Sequence, residues 1–311
     1  MSTWTATWRS STPRRADRTA TTATTGTTTA TTRPPIARSI AFLSDYGTAD
    51  EFVGVVHAVL HRLAPDHPRI DVTHQVPRHD VRAGSLTLWR AAPWLAPAVI
   101  LAVVDPGVAT LRRAVAVAVD EAATVLVGPD NGLLLPAALR LGAPTEAVEL
   151  DPPGGPGHSA GGATFAGRDL FAPAAARAAT GVPLRQLGRP IDPATLAGEP
   201  LPAPIVTGAG DGVEAEVLWV DHFGNVQLNV TPADTGPGPL EVQVQSDSAA
   251  GPFTAAVAPS YAAIPEGRPG LVVDSYGLLA LCLDRDSAAS RLGLRPGDRV
   301  RLAHRVGDDH R

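Results

Sequence analysis

An α/β amino-terminal domain with a largely parallel sheet, followed by a small antiparallel β-barrel-like domain, is the fold class the sequence predicts. Three patterns predict it. In the first part of the chain, short apolar runs alternate with helical stretches. Several of those runs end in polar turns, such as Ser44-Asp45-Tyr46-Gly47, Asp105-Pro106-Gly107 and Gly128-Pro129-Asp130-Asn131-Gly132. Strand, turn and helix in repetition imply βα units and parallel pairing. Beyond a Pro-rich stretch at 199–204 the period changes from helical to alternating, which suits short antiparallel strands curled into a barrel.

A chain of 311 residues is long enough for two such domains, each with its own core. Hydrophobic residues make up 44% and charged residues 18%, the balance of a soluble globular protein. The net charge of −5 argues against nucleic acid as the main partner, because phosphate binding needs a basic face. No apolar run suits a membrane span; the stretch 91–104 is short and carries Pro93 and Pro97. The single cysteine, Cys282, excludes an internal disulfide framework and fits a reducing compartment, the cytoplasm. Its apolar neighbours at 279–283 make it a buried, inert thiol and not a nucleophile. The chain has arginine but no lysine, which excludes Schiff-base and P-loop lysine chemistry.

Residues 1–37 are rich in Thr, Ala, Ser and Arg and lack the apolar core of a secretory signal, so a disordered tail is expected there. The first domain is expected over 38–198. It begins with a strand at 39–43 and a helix at about 50–63, then a strand at 69–76 and a helix at about 81–95. The run 99–104 reads as a buried parallel strand, stopped by Pro106 and Gly107. An alternation at 114–119 and a strand at 124–127 follow. The Pro/Gly loop at 151–163 has no Gly-Lys-Ser/Thr ending and is not a phosphate cradle; a helix at about 170–180 comes after it. A linker at 199–208 leads to the second domain, 209–305, with strands expected at 213–220, 227–230, 240–245 and 272–283.

Open α/β sheets bind ligands at the carboxyl ends of their strands, so the turns there supply the candidates. Asp105 ends the run 99–104, and Arg112 lies seven residues on. An acid beside a guanidinium can polarise a small nucleophile; it is equally the pattern of a structural ion pair. Asp45 either binds a ribose diol through its two acceptor oxygens or caps the helix that follows. Gly167 either lets a backbone N–H approach a ligand or simply lets the chain turn. Asp221-His222-Phe223-Gly224-Asn225 sits at a strand break in the second domain. Asp221 suits an ammonium and Asn225 a carboxylate or amine; the alternative is an Asx-type turn. The histidines His57, His61, His67, His74 and His79 match no metal-ligand spacing, so no metal site is expected.

Seven stretches then occur in order: FLSDYGTAD, DVTHQVPRHDVRAGS, VVDPGVATLRRA, VGPDNGLL, TFAGRDLFAP, DHFGNVQLN, and DSYG followed by SAA. Together, over about residues 39–303, they resemble the S-adenosyl-L-methionine (SAM) hydroxide adenosyltransferases, relatives of the SAM-dependent fluorinase and chlorinase. The resemblance implies a homotrimer whose SAM sites lie between the first domain of one subunit and the second domain of its neighbour. It implies displacement at ribose C5′ by water or hydroxide, giving adenosine and L-methionine, with SAM as substrate and no cofactor.

On the matching positions, Asp45 would hold the ribose diol, and Asp221, Phe223, Asn225 and Ser275 the methionine portion. The backbone at Arg285 would read the adenine edge; His79, Asn131 and Gly167 complete the expected substrate-binding set. Asp105 and Arg112 match two of three water-activating residues, whereas the third, a histidine in a Phe-His-Gly-Arg-Asp motif, is Ala166 here. His79 is the candidate to stand in for it. The fluorinase has tyrosine at the Asp105 position, so Asp105 with Arg112 favours water as nucleophile. Two alternatives stay open: a halogenase, since Gly167 matches the chlorinase's halide-side glycine, and a catalytically weak SAM- or adenosine-binding protein.

Overall fold

The computed structural model describes residues 38–120, 123–151, 164–206, 212–236, 238, 240–244 and 252–304. The expected tail, the Pro/Gly loop from residue 152 onward and the end of the expected linker lie outside the described residues. The first part runs β1 (Ser39–Ser44), α1 (Phe52–Leu63), β2 (Arg69–Thr73), α2 (Val81–Leu95), β3 (Ala98–Val103), β4 (Ala114–Val119), β5 (Thr124–Pro129), α3 (Leu135–Leu141), β6 (Glu146–Leu150), α4 (Ala172–Ala179) and β7 (Gly188–Ile191).

These strands form one seven-stranded sheet in the order β2-β1-β3-β5-β4-β6-β7. Side chains alternate across it: Ile40 and Phe42 join the core with α1 and α4, while Ala41 and Leu43 join the core with α2 and α3. Strand β3 is buried along its whole length, which is why it reads as a continuous apolar run. Helix α2 starts where the Asp80 carboxylate accepts from the Ala83 N–H at 2.8 Å.

The sheet is mixed, where a largely parallel one was expected. The pairs β1–β2, β1–β3 and β3–β5 are parallel, but β4–β5, β4–β6 and β6–β7 are antiparallel. The reason is chain length: residues 120–123 alone join β4 to β5, and a parallel crossover needs about a dozen residues or more.

The second part runs β8 (Ile205–Val206), β9 (Val213–Val220), β10 (Val226–Leu228), α5 (Pro232–Thr235), β11 (Leu240–Val244), β12 (Phe253–Ala255), β13 (Val257–Ala258), β14 (Gly270–Val273), β15 (Leu279–Cys282), α6 (Ala288–Leu292) and β16 (Arg299–His304). The main path of its sheet is β12-β11-β16-β9-β10-β15-β14-β13, with β8 added beside β9. Its two ends, β12 and β13, are separated by Ala256 alone, so the chain itself joins one edge to the other. Side chains from both ends, including Ala255, Leu240, Leu271 and Leu279, share a single core. The result is a nearly closed antiparallel barrel, in which only β13–β14 is parallel.

The described residues, 38–304 with the gaps given above, belong to one compact unit. Within it Leu86 of α2 packs on Leu218 and Leu278 of the barrel, and Arg82 pairs with Glu216 across the same seam. No helix among the described residues is long and apolar enough to cross a membrane.

Candidate active site

Strands β1 and β3 are parallel neighbours, with Ser44 opposite Val103. Asp45 and Asp105 therefore leave the sheet side by side at its carboxyl edge. One oxygen of Asp45 accepts from the His79 N–H at 2.9 Å. His79 takes a φ of +65°, a left-handed conformation uncommon for a residue with a side chain. It contributes its backbone here, and its ring is exposed.

Arg112 grips Asp105 with both ends of its fork. Nε donates to Oδ1 at 2.9 Å, and Nη2 donates to Oδ2. The guanidinium also lies 5.1 Å from the Phe171 ring centre. The Asp105 side chain is 5% exposed and that of Arg112 15%, so this is a nearly dry ion pair at the mouth of the sheet. Asn131 braces the same corner from behind. Its Nδ2 donates to the Val104 carbonyl at 2.9 Å, and its Oδ1 accepts from Leu133 N at 3.2 Å. Those bonds commit its amide to the loop.

Tyr46 is the group that sequence reasoning missed. Its ring packs among Phe42, Phe52 and Phe165, at centre distances of 6.3, 5.9 and 5.8 Å. Its hydroxyl lies over Gly167, where a Cβ would come within 2.2 Å of the oxygen. Gly167 opens a short π-turn, Gly167–Phe171, a helical irregularity common at functional sites. Any side chain there would have to displace the tyrosine hydroxyl. No sequence signal marked Tyr46, because the contact joins residues far apart in the chain.

Burial, with Asp45 and Asp105 close by, pushes the Tyr46 hydroxyl well above its ordinary value of 10.0; Arg112 offsets this only in part. The native state thus holds this proton where the unfolded chain has lost it. That contribution to stability is complete below the ordinary value and falls away as pH rises above it. Tyr46→Phe is expected to flatten the alkaline limb of the stability curve above pH 10.0, read by urea melts. An unchanged slope would remove Tyr46 from the account.

A second group of expected residues lies elsewhere on the chain. Asp221, Phe223, Asn225, Ser275 and Arg285 line an open cavity of about 1050 Å³ between the barrel and α2. Asp221 Oδ1 accepts from Phe223 N and Asn225 N, both at 2.9 Å, and Oδ2 from Asn225 Nδ2 at 2.8 Å. The Asx-type turn is therefore real, and it aims the loop at the cavity. Phe223 is 76% exposed, and Arg285 has a φ of +55°. Arg90, Trp219 and Gln227 also line this cavity, with the Arg90 guanidinium 4.8 Å from the Trp219 ring centre. Cys282 behind it is buried, and burial with Asp221 and Asp274 nearby pushes its thiol up to about 12, so it is inert.

Asp45, Asp105, Arg112 and Gly167 are not among the residues lining that cavity. No hydrogen bond or ion pair among the described residues joins the two groups. The structure thus brings the expected residues together as two half-sites.

Two of the five histidines between residues 57 and 79 meet in space. His57, on α1, and His74, just after β2, converge on Asp71 of β2. Burial alone would raise the Asp71 carboxyl, but the His74 and His57 imidazoles outweigh it and hold it below its ordinary range.

Comparison with known proteins bears on both halves. Residues 40–188 match the family model described as SAM hydroxide adenosyltransferase N-terminal domain, and residues 215–301 match that of the C-terminal domain. The chain is 47% identical over 263 residues to a Salinispora tropica protein named (R)-S-adenosyl-L-methionine hydrolase, covering 85% of this chain and 97% of that one. It is 27% identical over 296 residues to a protein of Actinopolyspora mzabensis named fluorinase, covering 85% and 96% of the two chains. Among solved structures, an uncharacterised conserved protein from Thermotoga maritima superposes with a TM-score of 0.75 at 32% identity, covering 85% of this chain and 100% of that one.

Proposed function

This chain belongs to the SAM hydroxide adenosyltransferase family, and from that membership and its two half-sites we propose that it hydrolyses (R)-S-adenosyl-L-methionine to adenosine and L-methionine. A water oxygen forms a bond to ribose C5′ as the C5′–S bond breaks. The sulfur keeps the electron pair and leaves as neutral methionine, and the water gives up one proton. The sulfonium supplies most of the driving force, so the protein's task is to align one water and exclude others.

The observation that carries this reading is the Asp105–Arg112 pair at the mouth of β3, beside Asp45. Arg112 holds the Asp105 carboxylate in a fixed position, and its remaining lone pairs can orient a water. The pair has no net positive charge to offer a halide. Asp45 is assigned to the ribose diol. Asp221, Phe223, Asn225 and Ser275 are assigned to the methionine portion, and the Arg285 backbone to the adenine edge. With Ala166 in place of an imidazole, alignment carries a larger share of the rate than proton removal.

We assign the complete site to two copies of the chain, in a homotrimer, with the Asp105 half from one and the Asp221 half from the next. Supporting this are the separation of the half-sites and the apolar side chains left bare on both. Leu111, beside Arg112, is fully exposed, and Trp94, on the cavity wall, is 80% exposed. The single buried thiol suits work in the cytoplasm.

The test is incubation with SAM in ¹⁸O-labelled water, with and without chloride or fluoride. Adenosine labelled at its 5′ oxygen, in an amount equal to the methionine released, is the expected product. A 5′-halo-5′-deoxyadenosine would make the chain a halogenase, and intact SAM would make it a binding protein.

A further inference from the structure

Outside both half-sites, three side chains from separate elements point their donor atoms at one another. His57 Nε2 lies 2.8 Å from Asp71 Oδ1, and His74 Nε2 lies 3.1 Å from the same oxygen. The second contact is not a well-aligned hydrogen bond, and Asp71 is the one group that His74 Nε2, on a side chain only 6% exposed, meets among the described residues. The two groups thus meet as an ion pair off the hydrogen-bond line, and a cation between them could take a lone pair from each. Its other nitrogen, Nδ1, is held by Ser44 Oγ at 2.8 Å, the outer contact that fixes the tautomer and direction of a metal-binding imidazole.

We propose that His57, Asp71 and His74 form a binding site for a divalent transition-metal ion of the zinc class, independent of the reaction proposed above. Two imidazoles and a carboxylate are the ligand set that Zn²⁺ and its neighbours prefer. All three donor atoms lie within 4.8 Å of one another. Tetrahedral ligands at about 2.0–2.1 Å from zinc stand about 3.3–3.4 Å apart. The 2.8 and 3.1 Å separations therefore need to open by only a few tenths of an ångström, which side-chain torsions supply. Asp71, with 51% of its side chain exposed on an edge strand, leaves the outer side open to solvent ligands and to entry of the ion.

Occupied, the site ties α1 to β2 and, through Ser44, to the turn that carries Asp45. The same turn is already tied to His74, whose carbonyl accepts from Gly47 N at 2.8 Å. The ion thus acts on stability and on the set of the ribose-side loop, and takes no part in bond breaking.

The experiment is titration of the tag-free, chelator-treated chain with Zn²⁺ by calorimetry, and with Co²⁺ by its visible absorption. One equivalent is expected, with a higher melting midpoint in Zn²⁺. His57→Ala and Asp71→Asn, both at partly exposed positions, are each expected to weaken binding more than about tenfold and to abolish the thermal shift. His61→Ala, an exposed histidine on the same helix, should change neither. Absence of binding, or binding that survives His57→Ala and Asp71→Asn, would mean a hydrogen-bonded His–Asp–His cluster and overturn the proposal. Because the readouts are binding and melting, failure here leaves the proposed hydrolysis untouched, and the reverse also holds.

Discussion

Asp105→Asn is expected to slow adenosine formation by about 10²- to 10⁴-fold while changing the affinity for SAM only a few-fold. The substitution keeps the shape and removes the charge. An amide can offer Arg112 one acceptor oxygen, but its NH₂ group would face the other guanidinium nitrogen, so the fork is broken on one side. Arg112 then holds the side chain on one side only, and the water loses its fixed acceptor. Because the pair is nearly dry, breaking it also costs stability, toward the lower end of about 3–5 kcal/mol since Arg112 keeps its contacts with the Arg113 carbonyl and Phe171. Steady-state rates, isotherms for SAM and a urea melt separate these effects. Arg112→Lys, a point charge that cannot hold both oxygens, should fall between wild type and Asp105→Asn. Unchanged turnover in Asp105→Asn would remove the pair from catalysis and leave it a structural ion pair.

Much of this site was legible in the chain because strand ends announce themselves. A buried strand must stop, and Pro106 with Gly107 stops it, so Asp105 falls at the sheet mouth whatever the fold's details. The barrel was legible from its alternating period, although its closure depends on Ala256, a hinge that no period marks. The sheet's mixed character was readable in principle, since AVAVAV and TVLVGP stand too close for a crossover helix. Tyr46 over Gly167, and His57 with His74 around Asp71, were hidden for another reason. They join residues from different elements, and neither spacing nor hydrophobic period encodes such contacts. Asn131 shows the converse: a polar residue at the expected turn whose amide serves the loop.

Mixed oligomers of two inactive variants should recover activity if each site draws its halves from two copies. Asp105→Asn damages the β3 half. Asp221→Asn damages the barrel half, keeping an oxygen for the Phe223 and Asn225 N–H groups while removing the charge proposed to meet the substrate ammonium. A lost charge-assisted hydrogen bond of about 1.5–3 kcal/mol lowers kcat/KM roughly 10- to 100-fold, so activity is read at low SAM. Co-expressed with different tags and purified through both, every closed ring of three holds both variants, and about one third of the sites have two intact halves. Such preparations should show about a third of wild-type activity, well above either variant alone. Were Asp105 and Asp221 to serve the same site within one chain, every site would carry one lesion, and the mixture would only average its parents. That outcome, or a chain monomeric at assay concentration, would rule out shared sites and require the two half-sites to meet by movement of the barrel against α2.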